Sequence, residues 1–286
     1  MKRLFVTGFL IIVLCSANAF SNPLEIGYFQ TDLRYNYRIA LLKLALEKTS
    51  DEFGPFVLKP DEKEMTQARG LAYLQKRGKK IDVAFLPTSK ERENLFLPVR
   101  IPMLRGILGY RVSLIRKDSL ESFSKIETLD QLRTKFTAGF GTHWGDMKIL
   151  EHNNLKIDAT VRYENLFKKL DKKRFDYFPR GINEAWREIE KFGSKFPNLT
   201  VDPYIALYYP YPVYFFVNKA NTKLAERIER GLTMALNDGS FKTLFLTHHQ
   251  NILSRVDFKN RKLFTLENPT LPPDTPVPDT SWWLEK

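Results

Sequence analysis

Residues 81–117, IDVAFLPTSKERENLFLPVRIPMLRGILGYRVSLIRK, decide the fold. The apolar run IDVAFL is predicted to be a strand, and a polar turn with Thr88, Ser89 and Arg92 follows it at once. A second β-rich run, ILGYRVSLI, comes after Gly106. A strand, a polar turn and a strand that continues elsewhere predict that the chain leaves one lobe for another. The polar turn then faces a cleft between the two lobes.

Upstream of this stretch the chain alternates strand and helix. Apolar positions at helical spacing predict a helix over residues 37–48, with Ile39, Leu42 and Leu46 on one face. PLEIGYF and PFVLKP are predicted strands on either side of it, and a second helix is predicted over residues 62–76. A β-α-β-α-β order is typical of an α/β fold with a mostly parallel sheet and covering helices.

Downstream, residues 111–213 read as a second α/β unit. Residues 119–126 are predicted to be a loop, TLDQLR a short helix with Thr128 as N-cap and Gln131 three residues later, and ATVRY a strand. The run IALYYPYPVYFFVNK is β-rich but broken by Pro210 and Pro212. Two helices follow, separated around residues 237–239.

These elements predict a division into lobes. We assign residues 20–110 and 214–270 to lobe 1, residues 111–213 to lobe 2, and residues 271–286 to a Pro-rich tail. Trp282 and Trp283 are expected to dock that tail onto the body.

Residues 1–19 have the features of a secretory signal peptide cleaved after Ala19. Lys2 and Arg3 precede the apolar run LFVTGFLIIVL, and small residues surround the predicted cleavage point. A membrane anchor is the alternative, but the apolar run is shorter than the roughly 20 residues that span a bilayer. Lipid attachment at Cys15 is disfavoured, because Leu14 stands where a small residue is expected. The expected location is the periplasm.

The amino-acid composition narrows the range of possible functions. Cys15 is the single cysteine, so the mature chain is expected to have no disulfide, thiolate metal site or cysteine nucleophile. The four histidines have no metal-binding spacing, and no metal or other cofactor is predicted. The net charge of +12 falls to +10 without Lys2 and Arg3, and it favours an anionic solute or a membrane surface. No nucleic-acid-binding motif is present, so that partner is not expected.

The chain resembles the type II periplasmic solute-binding proteins, as a divergent branch of the family that includes polar amino-acid receptors. Three segments in the family's order carry the resemblance: TSKERENLFLPVRIPM, SKIETLDQLRTKFTAGFGT and VYFFVNKANTKLAERIERGLTMALNDGSFKTLF. It implies a two-lobed α/β fold with a ligand cleft between the lobes. It also implies binding without chemistry, a monomer, and a membrane permease or sensor receptor as partner.

Two departures from the family pattern bear on the ligand. In the segment RFDYFPR, Arg180 stands where the resemblance implies an acid that pairs with the ammonium group of an amino acid. Pro87 replaces a serine of the pattern ahead of Arg92. An ordinary α-amino acid would therefore meet a cation, and we expect a small anionic or zwitterionic organic solute instead.

Nine residues are candidate ligand contacts. Arg92 and Arg180 are expected to grip an anion from opposite lobes, and the alternatives are a surface charge for Arg92 and a salt bridge to Glu184 for Arg180. Gly141 and Thr142 are expected between a strand and a helix, where backbone N–H groups at the helix N-terminus and the Thr142 hydroxyl would bind an anion, with a plain N-cap as the alternative. The remaining candidates hydrogen bond beside Arg92 or wall the pocket, and the full set is Tyr28, Thr88, Ser89, Arg92, Gly141, Thr142, Trp144, Phe178 and Arg180.

Three functions remain open from sequence. The leading prediction is a solute-binding receptor for transport that catalyses nothing. A binding module that serves a sensor is the second reading. The third is a dehydratase-like enzyme on the same fold, for which Glu184, Asp146 and His143 are the candidate acid–base groups.

Overall fold

The computed structural model describes residues 22–61, 65–76 and 80–275. The predicted signal peptide and the Trp282–Trp283 pair lie outside the described residues. The described strands are β1 (Leu24–Tyr28), β2 (Phe56–Pro60), β3 (Val83–Pro87), β4 (Phe96–Val99), β5 (Tyr110–Arg116), β6 (Thr137–Gly141), β7 (Lys156–Thr160), β8 (Tyr177–Gly181), β9 (Leu199–Tyr208), β10 (Val213–Asn218) and β11 (Lys262–Thr265).

The helices alternate with these strands over much of the chain. They are α1 (Asn36–Lys48), α2 (Ser50–Phe53), α3 (Gln67–Gln75), α4 (Lys90–Leu95), α5 (Leu120–Ser124), α6 (Leu129–Lys135), α7 (Met147–His152), α8 (Tyr163–Asp171), α9 (Ala185–Phe192), α10 (Thr222–Asn237) and α11 (Ser240–Val256). In the parts of the chain that the structure describes, no helix is long and apolar enough to cross a membrane.

The strands form two groups. We call the β1–β2 pair and the β3–β10–β4 sheet, with α1, α4, α10 and α11, the first lobe. The second lobe is the six-stranded sheet of order β11–β9–β5–β8–β6–β7 with α5 to α9. The chain passes between the lobes from β4 to β5, from β9 to β10 and from α11 to β11. This two-lobed α/β architecture confirms the predicted fold class.

The sheets are less parallel than predicted. β1 pairs in parallel with β2, and β6 pairs in parallel with β7 and β8, as strand–helix–strand units dictate. β10, however, runs antiparallel to both β3 and β4, and β5 runs antiparallel to β8 and β9. The cause is the repeated passage between lobes, because a returning strand enters its sheet from the opposite end.

β10 illustrates how sequence alternation builds the first lobe. Phe215 and its neighbours two residues away belong to the largest apolar cluster, which continues into the second lobe. Tyr214 and Phe216 point the other way, into a smaller cluster with Phe96. Successive strand residues face opposite sides of the sheet, so an unbroken apolar run indicates a strand buried on both faces.

Several local predictions can be compared with the structure. Thr128 caps α6 as predicted, since its side chain accepts a hydrogen bond of 3.2 Å from the Gln131 N–H. The predicted loop over residues 119–126 is wrong, because it contains α5, whose Phe123 is buried. The strand predicted at ATVRY lies three residues too late, since β7 is Lys156–Thr160.

β11 was not predicted at all. It lies within residues 214–270, which we assigned to lobe 1, yet it pairs in parallel with β9 of the six-stranded sheet. Four residues at a sheet edge carry too weak a pattern to stand out, and tertiary pairing decides their place. The residue boundaries of the lobes otherwise remain a prediction.

Candidate functional site

The polar turn after β3 is held by its own side chains. Ser89 is the N-cap of α4, and its Oγ accepts a hydrogen bond of 3.2 Å from the Arg92 N–H. Thr88 is fully buried and its hydroxyl donates to Glu93 at 2.5 Å. The Thr88 N–H donates to the Pro212 carbonyl at 2.9 Å, which ties the turn to the β9–β10 connection. Both hydroxyl groups therefore shape the turn in this structure.

Arg92 extends from α4 toward the second lobe. Its Nη1 donates to the Pro87 carbonyl at 2.6 Å. A Cβ placed on Gly145 would lie 3.0 Å from the Tyr211 hydroxyl and 3.6 Å from Arg92 Nη2, so these three residues meet. Burial raises the pKa of Tyr211 to about 12, although Arg92 opposes the shift. The tyrosine is neutral and can donate a hydrogen bond.

A second arginine of the first lobe, Arg38 on α1, lies beside this turn. Its guanidinium stacks over the Tyr35 ring at 4.9 Å, and Arg34 stacks on the same ring at 4.9 Å. Arg38 Nη1 donates a long hydrogen bond of 3.4 Å to the Phe85 carbonyl, two residues before Pro87 in β3. Burial lowers the pKa of Arg38 to about 10, and Arg34 adds to the shift, while Tyr35 and, less strongly, Glu184 oppose it.

The wall of the second lobe begins with Arg111 in β5. Its Nε donates to the Tyr209 hydroxyl at 2.7 Å and its Nη2 donates to Asp146 at 2.6 Å. The Tyr209 hydroxyl also donates to Asp146 at 2.6 Å, which closes a buried triangle. Burial disfavours the cation, but Tyr209, Asp146 and Glu184 outweigh it and raise the pKa of Arg111.

Arg180, in β8, is fully engaged on the same wall. Its Nε lies 2.8 Å and 2.9 Å from the two carboxylate oxygens of Glu188, and its Nη2 donates to Glu188 at 2.6 Å. A second carboxylate, that of Glu184, lies 3.2 Å from Nη2. The alternative of a salt bridge from Arg180 to Glu184 is thus present, but only its Arg180 end is buried, and Glu188 is the closer partner.

Glu184 is the carboxylate of this wall that reaches solvent, with its side chain 32% exposed. It accepts a hydrogen bond of 3.0 Å from the Gly181 N–H and lies 3.6 Å from Arg111 Nη1. Burial opposes its ionisation, yet the charges of Arg180 and Arg111 prevail and lower the pKa of Glu184. The site therefore has an ionised carboxylate facing the arginines of the first lobe.

The turn after β6 departs from expectation. Thr142 is exposed and its N–H donates to the Thr160 carbonyl at 3.2 Å. α7 starts only at Met147, so Thr142 is not at a helix N-terminus, and that part of the prediction is wrong. Trp144 folds back over Gly141, where an added Cβ would lie 2.4 Å from the indole. The absence of a side chain at Gly141 therefore allows the Trp144 indole to pack against the backbone.

Aromatic rings back the wall. Trp144 stacks on Phe178 at 5.9 Å, and the Arg180 guanidinium lies 4.6 Å from the Trp144 ring centre. Phe178 is fully buried behind Trp144, which leaves the tryptophan nearer the cleft. Tyr28, at the end of β1, is buried against Phe85 at 6.2 Å.

The structure brings Arg92, Trp144 and Arg180 to facing walls, while Tyr28 lies on the first lobe with Arg38. Sequence patterns did not single out five residues of the site: Arg34, Tyr35, Arg38, Arg111 and Tyr209. The cluster of Arg34, Tyr35 and Arg38 directly after the first strand was the available signal, because a loop at the carboxyl end of a strand borders the cleft. Among the described residues, no group of three or more His, Cys, Asp or Glu is arranged to hold a metal ion.

Comparison with known proteins establishes the fold. No protein-family model matches this chain, and no curated protein matches it either. An ancestral arginine-binding protein bound to arginine matches with a TM-score of 0.51 and 17% identity, over 78% of this chain and 95% of that chain.

Two further solved structures match at similar levels. A Streptococcus mutans structure, described with glutathione import via GshT and the cystine importer TcyBC, has a TM-score of 0.53 and 17% identity, over 79% of this chain and 95% of that chain. The ancestral amino acid-binding protein AncCDT-1, a precursor of cyclohexadienyl dehydratase, has a TM-score of 0.52 and 15% identity, over 79% and 94%. The chain thus has the two-lobed fold of type II periplasmic binding proteins.

Proposed function

We propose that the protein is a receptor that binds a small organic solute with at least one anionic group between its lobes. One observation carries the proposal. Arg38 and Arg92, both partly buried on the first lobe, have no carboxylate within salt-bridge distance among the described residues. A partly desolvated cation without an anion is costly, and a bound anion removes that cost.

The chemistry of the two side chains fits this role. A guanidinium offers a planar fork of N–H donors that matches a carboxylate or phosphate. Pro87 and Phe85, whose carbonyls accept from Arg92 and Arg38, are two residues apart in β3. The two guanidinium groups can therefore bind one branched anion or two anionic groups of one solute.

The second lobe contributes a different contact. Arg180, which the sequence predicts to grip an anion from that side, is paired with Glu188 and Glu184, so its charge is already neutralised. Glu184 is the partly exposed carboxylate opposite the first-lobe arginines and can accept a hydrogen bond from a cationic or polar group of the solute. A zwitterionic solute with its anionic end on Arg92 and Arg38 would use both walls, and closure would be favoured because only the closed form offers both.

Delivery to a membrane transporter is the role we propose for the bound form. The support is the predicted signal peptide and the likeness to a Streptococcus pneumoniae protein described as an amino acid ABC transporter substrate-binding protein, with a TM-score of 0.50 and 15% identity over 76% of this chain and 82% of that chain. A sensor partner would use the same cleft. Neighbouring genes for a permease and an ATPase favour transport, and those for a sensor kinase or cyclase favour signalling.

Native mass spectrometry of the protein purified from periplasm tests the proposal. The folded mass is expected to exceed the denatured mass by one small molecule, which is recovered unchanged and identified. Arg92→Met and Arg38→Met should each lose that molecule, whereas Arg230→Met, at an exposed pair with Glu52, should retain it. Retention in both cleft variants would overturn the proposed site, and chemical conversion of the recovered solute would favour the enzyme.

A further inference from the structure

The chain after β11 returns from the second lobe to the first. We call residues 266–275 the C-terminal strap. At its start the Leu266 N–H donates to the Tyr208 carbonyl at 2.7 Å. The Glu267 N–H then donates to Asn153 Oδ1 at 3.0 Å, and Asn153 Nδ2 donates back to the Glu267 carbonyl at 2.8 Å. These bonds fix the first part of the strap to the second lobe.

Three residues later the strap contacts the first lobe. The Lys90 N–H at the start of α4 donates to the Thr270 carbonyl at 2.9 Å. Asp274 forms an ion pair of 2.5 Å with Arg100. Arg100 also pairs with Glu93, the residue that accepts from the buried Thr88 hydroxyl. The strap is thus connected to the turn that carries Arg92.

Asn268 fixes the short span between these two attachments. Its Oδ1 accepts from the Thr270 N–H at 3.0 Å and from the Thr270 hydroxyl at 2.7 Å, which forms a side-chain-stabilised turn. Its Nδ2 donates to the Pro210 carbonyl at 2.8 Å, in the connection between β9 and β10. One side chain therefore joins the strap to the connection about which the lobes would move.

We propose that the C-terminal strap limits the opening of the two lobes and positions the turn that carries Arg92. From Glu267 to Thr270 the backbone spans at most about 11 Å when fully extended. If the lobes open until Lys90 and Asn153 are further apart than this backbone can reach, the hydrogen bonds at one end of the strap must break. The strap acts as a passage between the lobes additional to those from β4 to β5, from β9 to β10 and from α11 to β11.

The restraint has a consequence for binding. Arg92 is carried on the six-residue helix α4, which is too short to be stable without contacts at its ends. The strap supplies such contacts at Lys90 and, through Arg100, at Glu93. Loosening the strap should therefore change both the spread of lobe separations and the order of the turn, without any change in the residues that contact solute.

Distances between two spin labels test the restraint. In a Cys15→Ser background the chain has no other cysteine, so Lys172→Cys on the second lobe and Lys223→Cys on the first can be labelled specifically. The double variant Asn268→Ala with Asp274→Ala should broaden the distance distribution and add a component longer by about 2 Å or more. Thr233→Ala, which removes a side-chain bond to the Glu229 carbonyl within α10 of the first lobe, is the control and should leave the distribution unchanged. An unchanged distribution in the double variant overturns the restraint.

Amide hydrogen exchange tests the positioning. The N–H groups of Thr88 and Arg92 donate to Pro212 and Ser89, which lie outside the strap, so they report on the turn itself. Their exchange should become about tenfold faster or more in the double variant, and unchanged exchange overturns the positioning role. If that variant does not fold, Asn268→Asp keeps the acceptor for Thr270 but loses the donor to Pro210, and the same two readouts apply to it.

Discussion

The two walls of the cleft use arginine in opposite ways. On the second lobe, Arg111 and Arg180 are buried, and each has a carboxylate partner at 2.6 Å. On the first lobe, Arg38 and Arg92 are partly buried, and their bonds of 3.4 Å and 2.6 Å go to backbone carbonyls. The residue type is the same, but the paired arginines join elements of the second lobe, whereas we propose that the charges of the unpaired arginines serve a solute.

The largest expected effect comes from breaking a pair on the second lobe. Glu188→Ala leaves the buried Arg180 guanidinium without its closest carboxylate and removes the acceptor of the Tyr163 hydroxyl at 2.6 Å. Breaking such a pair should lower the free energy of unfolding by about 3–5 kcal/mol, measured by urea denaturation.

A matched control lies on the same helix. Glu190 is exposed and pairs with Arg255 at 2.9 Å, so Glu190→Ala should cost about 0–1 kcal/mol. Equal losses in the two variants would mean that the Arg180–Glu188 pair does not stabilise the second lobe.

His249, on the first lobe, is expected to make the free energy of unfolding depend on pH. Burial lowers its pKa from 6.5 to about 4, with His248, Arg38 and Arg187 adding to the shift and the Phe245 carbonyl opposing it. The neutral ring is favoured in the folded state, so its stability contribution is present above pH 6.5 and is lost as the pH falls toward 4. His249→Phe should therefore reduce the stability lost between pH 6.5 and 4 by up to about 3 kcal/mol.

The measurement is the free energy of unfolding at several pH values across that window. His143→Phe, at an exposed position of the second lobe, is the control and should leave the profile as in the wild type. A profile that is also unchanged by His249→Phe would contradict the assigned pKa shift.

Asp202 in β9, on the second lobe, is expected to make the free energy of unfolding depend on pH in the opposite direction to His249. Burial raises its pKa from 3.8 to about 6, although the N–H groups of Tyr204 and Ile205 and the charge of Arg261 oppose the shift. The folded state holds this proton more tightly, so the contribution is present below about pH 4 and is lost as the pH rises through 6. The full change is about 3 kcal/mol or less.

Asp202→Asn should therefore make stability rise more steeply between pH 4 and 6 than in the wild type. Asp130→Asn, at an exposed position, serves as the control. A flatter profile in Asp202→Asn would mean that the carboxyl is ionised throughout the window.

The smallest effect on stability is expected for the first-lobe arginines. Arg38→Met and Arg92→Met each lose a hydrogen bond to a backbone carbonyl but also remove a partly desolvated cation that has no carboxylate partner among the described residues. Because these two terms oppose each other, the free energy of unfolding should change by no more than about 1 kcal/mol. Urea denaturation of solute-free protein measures this. A loss near that of Glu188→Ala would show that these arginines are structural, and the contrast between the two walls would be removed.

Much of the fold could be predicted from local patterns. α1, α6, α10 and α11 follow from apolar spacing and turn residues, and the break at Pro210 and Pro212 separates β9 from β10 as predicted. The edge strand β11 and the start of β7 could not be predicted, since short or half-exposed strands depend on the neighbours with which they pair.

The candidate site was predicted less completely. Arg92 follows from the strand and polar turn that contain it, and Arg180 from the position that it takes in the family resemblance. Whether a charge is paired depends on residues distant in sequence, as for Arg111 with Tyr209 or Arg100 with Asp274. Spacing along the chain does not encode those distances.

The sequence by itself determined the two-lobed α/β class, the passage between lobes after residue 100, and the polar turn with Arg92. Each depends on periodicity or on local turn chemistry, which are set within a few residues. Only the tertiary structure decided that Arg180 is neutralised, that Arg38 reaches the same site and that the strap returns to α4. Those outcomes come from burial and long-range contacts, because the cost of an unpaired charge depends on what surrounds it after folding.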